Sequence, residues 1–160
     1  PKAGLNYLYL IDEGVYRSDQ PTRTDFRAME RYGIREVLNL RKDHNDKKDA
    51  AGTALALHRI KAGTEPNIKQ IIEALRIIKN RKGPIVMHGQ RGFDRTGAVT
   101  AVYRMVFQDI AKEDAVKEMK AGFGDTYTYS DKVLRTVRLV EVHEIRRTLG
   151  LRKQPDGSWR

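Results

Sequence analysis

Residues 84–99, "PIVMHGQRGFDRTGAV", bring together the residue types that bind phosphate. An apolar run predicts a buried strand, "RTGAVTAVYRMV" predicts a buried helix, and a short loop with two glycines and two arginines joins them. Successive amide N–H groups in such a loop form a nest for an anion, and the dipole of the following helix adds to it. Gly89 and Gly92 would let the backbone approach the ligand closely and adopt positive φ. Arg95 can present two N–H groups to two phosphate oxygens.

A tight strand-to-helix turn with a solvent-facing arginine would explain a pair of glycines, but it does not explain the whole set. We therefore predict that the loop binds phosphate. Gly92 and Gly97 have the glycine spacing of a Walker A loop. That loop needs Lys and then Ser or Thr at the next two positions, where this chain has Ala98 and Val99. The glycine spacing of a dinucleotide-binding fold is also absent.

The composition is that of an ordinary globular domain of 160 residues, with 32% charged residues and no run of apolar residues long enough to span a bilayer. The absence of cysteine excludes disulfides and thiolate metal sites, and no metal or cofactor is expected. A net charge of +10 predicts a general attraction to anions. Because Lys and Arg are spread along the chain without interleaved aromatic residues, a nucleic-acid partner is not expected.

Strands alternate with helices along the chain, which predicts a single α/β domain over residues 1–150 and a tail, residues 151–160, that frays. The sheet should be mostly parallel with helices on both faces, and ligands should bind beyond the carboxyl ends of its strands. The predicted strands are residues 5–11, 15–18, 35–40, 54–60 and 84–88. The predicted helices are residues 22–33, capped by Thr22 or Thr24 and ended by Gly33, and residues 67–80, 96–107, 112–120 and 130–149.

The segment "VMHGQRGFDRTG" resembles the signature loop of the protein tyrosine phosphatase superfamily, which reads His-Cys, five residues, then Arg-Ser/Thr-Gly. The positions that match are His88, Gly92, Arg95, Thr96 and Gly97. Gly89 stands where the family has its nucleophilic cysteine. "GVYRSDQPTRTDFRAMERYGIREVLNLR" and "TGAVTAVYRMVFQDIAKEDAVKEMKAGFGD" resemble the flanking segments of bacterial dual-specificity phosphatases. The resemblance runs from about Leu5 to the middle of the last predicted helix.

The resemblance implies a reaction through a phosphocysteine. A thiolate would attack phosphorus, and the loop amides and helix dipole would lower the pKa of the thiol. Arg95 would hold the equatorial oxygens in the transition state, Thr96 would hydrogen-bond the nucleophile, and His88 would order the loop and favour the thiolate. The phosphate itself would lie against the loop residues Gln90, Arg91, Gly92, Phe93 and Asp94.

A general acid must protonate the leaving oxygen. The family usually supplies an Asp from the loop before the helix that precedes the signature strand, but here that loop, "IKAGTEP", has only Glu65. Asp94 inside the signature loop is an equal candidate. The three acids of residues 41–53, Asp43, Asp46 and Asp49, are predicted to be solvated charges, with a place at the rim of the pocket as the alternative. Further candidates near the pocket are Lys61, as a contact for an anionic substrate, and Tyr127 and Tyr129, predicted to pack or to be exposed.

With Gly89 in place of the cysteine, the chain should bind phosphate or sulfate without turnover. Either a phosphatase of phosphorylated proteins or small phosphoesters has lost its nucleophile by mutation, or the chain is a natural pseudophosphatase that recognises phosphate as a binding module. The N-terminus, "PKAGLNYLYL", lacks the layout of a signal peptide. The resemblance nevertheless implies a periplasmic location, and without it the expectation is cytoplasmic.

Overall fold

The computed structural model describes residues 8–90, 94–121 and 129–160. Five strands and six helices lie in these ranges. The strands are β1 (Leu8–Asp12), β2 (Val15–Ser18), β3 (Glu36–Arg41), β4 (Ala56–Ala62) and β5 (Ile85–His88). The helices are α1 (Arg23–Tyr32), α2 (Ile68–Lys79), α3 (Asp94–Phe107), α4 (Lys112–Ala121), α5 (Asp131–Arg138) and α6 (Val142–Leu149). Among the described residues, no helix is both long and apolar enough to cross a bilayer.

The five strands form one sheet in the order β1-β2-β5-β3-β4. β2, β5, β3 and β4 run parallel to their neighbours, and β1 is an antiparallel edge strand against β2. His88, the last residue of β5, pairs with Ser18 on one side and with Asn39 on the other. The carboxyl ends of all four parallel strands therefore meet at one edge. The predicted α/β class is confirmed.

Helices cover both faces of the sheet, as the alternation of strand side chains requires. On one face, Val37 and Val86 pack in a cluster with Phe26 and Met29 of α1. On the other, Leu38, Ile85 and Met87 pack in a larger cluster that includes residues of the remaining five helices. α3 lies at the centre of that second layer, in contact with α2, α4, α5 and α6. Packing against these four helices fixes α3 in the core.

The single helix predicted for residues 130–149 is wrong, because two helices occupy this stretch. α5 ends at Arg138, and Glu141, whose backbone is extended, precedes α6. Lys112 of α4 stabilises the break by donating from Nζ to the carbonyl oxygens of Arg138 and Val140, at 2.8 Å each. Val140, which lies in the break, is also buried. The spacing of apolar residues therefore continues from α5 into α6, and the sequence pattern does not reveal where α5 ends.

The tail does not fray as predicted. Arg152 and Arg160 exchange backbone hydrogen bonds of 2.8 and 3.1 Å, and Leu151 is buried. Trp159 packs against the larger core cluster with its ring 3.9 Å from the guanidinium carbon of Arg146. One aromatic side chain anchors a segment that has no periodicity of its own. The strand predicted at residues 54–60 also lies two residues later along the chain, as β4.

Candidate active site

The predicted phosphate loop leaves the carboxyl edge of the sheet at His88 and enters α3 at Asp94. Gln90 is exposed, and its carbonyl oxygen accepts a hydrogen bond of 3.2 Å from the backbone N–H of Gln20, which follows β2. The other predicted phosphate contacts lie outside the described residues. They are Arg91, Gly92, Phe93 and the side chain of Asp94, and their roles remain predictions.

Position 89 has room for a side chain. Gly89 is buried, and a Cβ atom placed on it would lie 3.6 Å from each of the Cβ, Cδ and Nη1 atoms of Arg95, which is ordinary van der Waals contact. Among the described residues, the glycines at positive φ are Gly14, Gly33, Gly52, Gly150 and Gly157. The prediction that Gly89 adopts positive φ is therefore wrong. Neither the backbone nor the space at the Cβ position requires glycine here.

Arg95 lies over position 89 and is anchored to the next loop along the edge. Its side chain is buried, at 7% exposure, and its Nε donates to the carbonyl oxygen of Gly63 at 3.0 Å. Gly63 directly follows β4 and belongs to the loop in which Glu65 lies. This bond fixes the plane of the guanidinium, whose Nη1 is the polar atom closest to an added Cβ at Gly89. A fixed, planar donor beside the loop is the arrangement expected of a group that binds phosphate through two bonds.

Beneath the loop, His88 is fully buried between two acceptors. Its Nε2 lies 2.6 Å from Oδ2 of Asp46, and its Nδ1 lies 3.0 Å from the carbonyl oxygen of Gly89. Nε2 donates to the Asp46 carboxylate, and Nδ1 lies within hydrogen-bond distance of the first peptide of the loop. Because a trans peptide is planar, holding the Gly89 carbonyl against His88 turns the N–H of Gln90 the opposite way.

The prediction that Asp46 is a solvated charge is wrong. Burial would raise the pKa of this carboxyl, but the hydrogen bond and charge of His88, together with a hydrogen bond from Gln20, hold it below its usual value. Gln20 donates from Nε2 to Oδ1 at 3.0 Å. A bond of 2.6 Å from the Asn39 amide to the His44 carbonyl oxygen bends the loop back over the sheet and carries Asp46 inward.

The other two acids of this loop are more exposed than Asp46, and Asp43 interacts through charge with Arg95. Asp43 is exposed and pairs with Arg41 at 3.2 Å, and Asp49 lies 3.5 Å from His44. No spacing rule separates Asp46 from them, because its burial follows from partners on other elements.

On the other side of the loop, Arg17 of β2 reaches the first turns of α3, a role that sequence reasoning missed. Its Nη2 donates to Oγ1 of Thr96, which is fully buried, and its Nη1 donates to Oγ1 of Thr100, both at 3.3 Å. Burial lowers the pKa of Arg17, and a hydrogen bond with Tyr129 opposes that shift. Tyr129 is buried against Gly97, where a Cβ atom would collide with its hydroxyl. Tyr129 therefore packs, and Tyr127 lies outside the described residues.

Glu65 lies on the loop whose Gly63 carbonyl anchors Arg95. Its side chain is exposed, and Oε2 accepts a hydrogen bond of 2.5 Å from Oγ of Ser130, the residue that caps α5. Lys61 is exposed near the end of β4, two residues before Gly63. The structure thus brings position 89 together with Arg95, with His88 and, behind it, with Asp46. Thr96 follows Arg95 in α3, and Glu65 lies on the neighbouring loop.

Residues 12–108 match the family model described as "Polymorphic toxin system, DSP-PTPase phosphatase". The match spans more than half of the chain. The chain belongs to this family. The matched range includes every site residue described above except Tyr129 and Ser130.

Curated and solved relatives agree with this assignment. The chain is 31% identical over 124 residues to the dual specificity protein phosphatase TpbA of Pseudomonas aeruginosa strain UCBPP-PA14, a match covering 74% of this chain and 56% of that protein. The chain thus spans about half the length of the curated relatives it matches.

Two solved structures share the fold. A variant of P. aeruginosa TpbA in complex with pTyr has a TM-score of 0.77, with 25% identity and 90% of each chain covered. The catalytic domain of the PP-IP phosphatase Siw14 from S. cerevisiae, in complex with citrate, also has a TM-score of 0.77, with 20% identity and 94% of each chain covered. At that identity, the likeness to Siw14 is one of fold alone.

Proposed function

We propose that this chain is a phosphatase domain that binds the phosphate of a phosphomonoester between the loop at residues 89–95 and the Arg95 guanidinium. As written, it binds without turnover, because Gly89 supplies no nucleophile and the chain has no cysteine. The observation that carries the proposal is the anchored guanidinium of Arg95, whose Nη1 lies 3.6 Å from where the Cβ atom of a side chain at position 89 would be. The substrate class is a phosphorylated protein or a small phosphoester.

With a cysteine at position 89, the chemistry would follow in two steps. The thiolate attacks phosphorus, the bond from phosphorus to the leaving oxygen breaks, and a general acid gives that oxygen a proton. Water then attacks the phosphocysteine and releases phosphate and the thiolate. Arg95 stabilises the charge on the equatorial oxygens in both steps, and His88 holds the loop so that its amides stay directed at the same charge.

Glu65 is the general acid that we favour. It lies two residues from Gly63, whose carbonyl accepts from Arg95, and its carboxyl group accepts a hydrogen bond from the Ser130 hydroxyl. Asp94 in the signature loop is the second candidate. The two differ in position, since Glu65 approaches from the β4–α2 loop and Asp94 begins α3.

Substitutions of the two acids in a Gly89→Cys protein separate the candidates. An alkoxide-like leaving oxygen needs the proton, whereas nitrophenolate hardly does, and general acid catalysis typically contributes about 10²–10⁴-fold. We expect Glu65→Gln to lower turnover of phosphotyrosine by that factor and turnover of p-nitrophenyl phosphate much less, with Asp94→Asn affecting both substrates alike. The reverse pattern would assign the acid to Asp94, and no leaving-group dependence in either variant would exclude both.

A phosphate-recognising binding module is the second candidate function. The bonds that hold the loop, from His88 to Asp46 and from Arg95 to Gly63, are complete with glycine at position 89. Such a site needs no thiol to bind an oxyanion. Restoration by Gly89→Cys discriminates the two functions: hydrolysis of p-nitrophenyl phosphate supports the phosphatase, and retained phosphate affinity without hydrolysis supports the module. Gly89→Ser serves as the matched control, since its side chain carries a hydroxyl group, which is a poor nucleophile.

The relation to TpbA extends the proposal to a periplasmic location for this chain.

A further inference from the structure

The hydroxyl group of Thr96 has a neighbour that fixes its direction. Arg17 reaches from β2 beneath the first turns of α3 and donates from one guanidinium to the hydroxyl oxygens of Thr96 and Thr100, at 3.3 Å each. The Thr100 hydroxyl in turn donates to the Thr96 carbonyl oxygen at 2.6 Å. Thr96 and Thr100 are both buried.

A guanidinium has only donors, so both threonine oxygens must act as acceptors toward Arg17. The proton of the Thr100 hydroxyl is committed to the Thr96 carbonyl. The proton of the Thr96 hydroxyl must point away from Arg17, which leaves this hydroxyl as a donor to another acceptor. The resemblance to the phosphatase signature implies that this acceptor is the side chain at position 89. A threonine hydroxyl without such a neighbour rotates between donor and acceptor positions at little cost.

We propose that Arg17 is a positioning residue, which holds the Thr96 hydroxyl as a hydrogen-bond donor to the nucleophile at position 89. The inference rests on the proposed function, because it concerns the thiolate of the cysteine-containing enzyme. Arg17 acts through Thr96 and does not touch substrate. The planar fork of arginine suits two hydroxyl groups at once, and the single ammonium group of lysine does not.

Several charged groups surround this arrangement and would contribute to the reactivity of a thiol at position 89. Arg95 and His88, with Asp46 behind it, face the position directly. Around Arg17, the groups that interact through charge are Asp19, Tyr129, Glu118 and Arg104. All of them stay in place when Arg17 is replaced by lysine, which also keeps the positive charge, so that substitution isolates the geometry.

The test measures how the rate of thiol alkylation by iodoacetamide depends on pH in a Gly89→Cys protein. A hydrogen bond to a charged group contributes about 1.5–3 kcal/mol, and one pKa unit corresponds to about 1.4 kcal/mol. Thr96→Val should therefore raise the midpoint by about one to two pH units. Arg17→Lys should raise the alkylation midpoint by a similar amount in a protein that retains Thr96. In a protein that already has Thr96→Val, Arg17→Lys should shift the midpoint little further.

Two results would overturn the proposal. In the first, the Arg17→Lys protein has the same alkylation midpoint as its parent. In the second, Arg17→Lys shifts the midpoint as far in a Thr96→Val protein as it does in the Thr96 protein. Arg17→Met should raise the midpoint at least as far as lysine does, and should it fail to fold, the lysine variant decides alone. Arg81→Met is the matched control. Like Arg17, Arg81 donates to two oxygen atoms, but these are the carbonyl oxygens of Ile78 and Glu13 at the opposite edge of the sheet. Alkylation reports on the thiol whether or not phosphoesters are hydrolysed. A Gly89→Cys protein without phosphatase activity would contradict the proposed function and still test this inference.

Discussion

The two edges of the sheet each contain a histidine bound to a carboxylate, and the two pairs differ in what lies behind the histidine. At the amino edge, His58 lies 2.8 Å from Glu36, and its side chain is 35% exposed. At the carboxyl edge, His88 lies 2.6 Å from Asp46, and its side chain is fully buried. The second nitrogen of His88 binds the carbonyl of Gly89, whereas Glu36 uses its second oxygen to accept the backbone N–H groups of Lys82 and Gly83.

A histidine and a carboxylate therefore have different roles at the two edges. The amino-edge pair ties β3, β4 and the turn before β5 together, which is a structural role. The carboxyl-edge pair ends at the first peptide of the phosphate loop and sets its direction. In a parallel sheet, ligands bind beyond the carboxyl ends of the strands, so the carboxyl-edge pair, and not the amino-edge pair, lies beside the proposed phosphate site.

Removing the carboxylate at each edge should give the largest difference. Asp46→Ala leaves a fully buried histidine without its partner, and breaking a buried pair in this way costs about 3–5 kcal/mol. Glu36→Ala leaves a half-exposed histidine and two backbone N–H groups, and an unsatisfied group costs about 1–3 kcal/mol. Urea denaturation measures both free energies of unfolding. Equal losses in the two variants would show that the deep burial of His88 does not distinguish the pairs.

Phosphate binding should depend on the carboxyl edge alone. Arg95→Ala should weaken the binding of inorganic phosphate to the chain as written by roughly 2–4 kcal/mol, as truncation of one partner of a desolvated charge pair does. Arg81→Ala removes an arginine from the amino edge and should leave the affinity unchanged. Calorimetry at one fixed salt concentration checks both variants. If Arg95→Ala leaves the affinity intact, the loop is not the phosphate site.

A methyl group should be tolerated less well at Gly97 than at Gly83. A Cβ atom at Gly97 meets the ring and hydroxyl of buried Tyr129, whereas at Gly83 it lies 2.9 Å from Cγ and 3.0 Å from Cβ of Arg35, an exposed side chain that must shift by less. Inserting a methyl group into a packed core typically costs about 1–3 kcal/mol. We expect a loss of that size for Gly97→Ala and a smaller one for Gly83→Ala, measured by thermal unfolding. Equal losses would mean that Tyr129 can move aside.

The features that sequence reasoning predicted are those whose partners are close along the chain. The N-terminus of α1 is one case, since Thr22 and Asp25 form a capping box within four residues and Gly33 ends the helix at a φ of 123°. The phosphate loop is another, because its strand, glycines and arginine are contiguous.

The roles of Asp46 and Arg17 could not be predicted from the sequence, because their partners are distant along the chain. Their partners His88 and Thr96 lie 42 and 79 residues away, and only the register of β2, β3 and β5 brings them together. A charge in a polar stretch or on an edge hairpin has no local signal that predicts such a partner.

Acid should weaken both pairs. Burial would raise the pKa of Glu36, but the hydrogen bonds from His58 and from the N–H groups of Lys82 and Gly83 hold it below its usual value, as those at Asp46 do. A carboxyl whose pKa is lowered by folding binds its proton more weakly in the folded protein than in the unfolded chain. Its contribution to stability is present above the ordinary pKa of about 4 and is lost as the pH falls through the lowered value.

Asp46→Asn and Glu36→Gln keep an acceptor for the histidine but cannot titrate. Each variant should therefore lose less stability than the parent between pH 6 and the acid range, by about 1.4 kcal/mol for each unit by which folding lowers the pKa. Urea denaturation at a series of pH values measures this difference.

Phosphate affinity at pH 7 then separates the two edges. It should fall several-fold in Asp46→Asn, because the neutral amide holds His88 and the Gly89 carbonyl less firmly. It should stay constant in Glu36→Gln. A fall in both variants would mean that the two pairs are coupled through the sheet, and that the amino-edge pair also supports the phosphate loop.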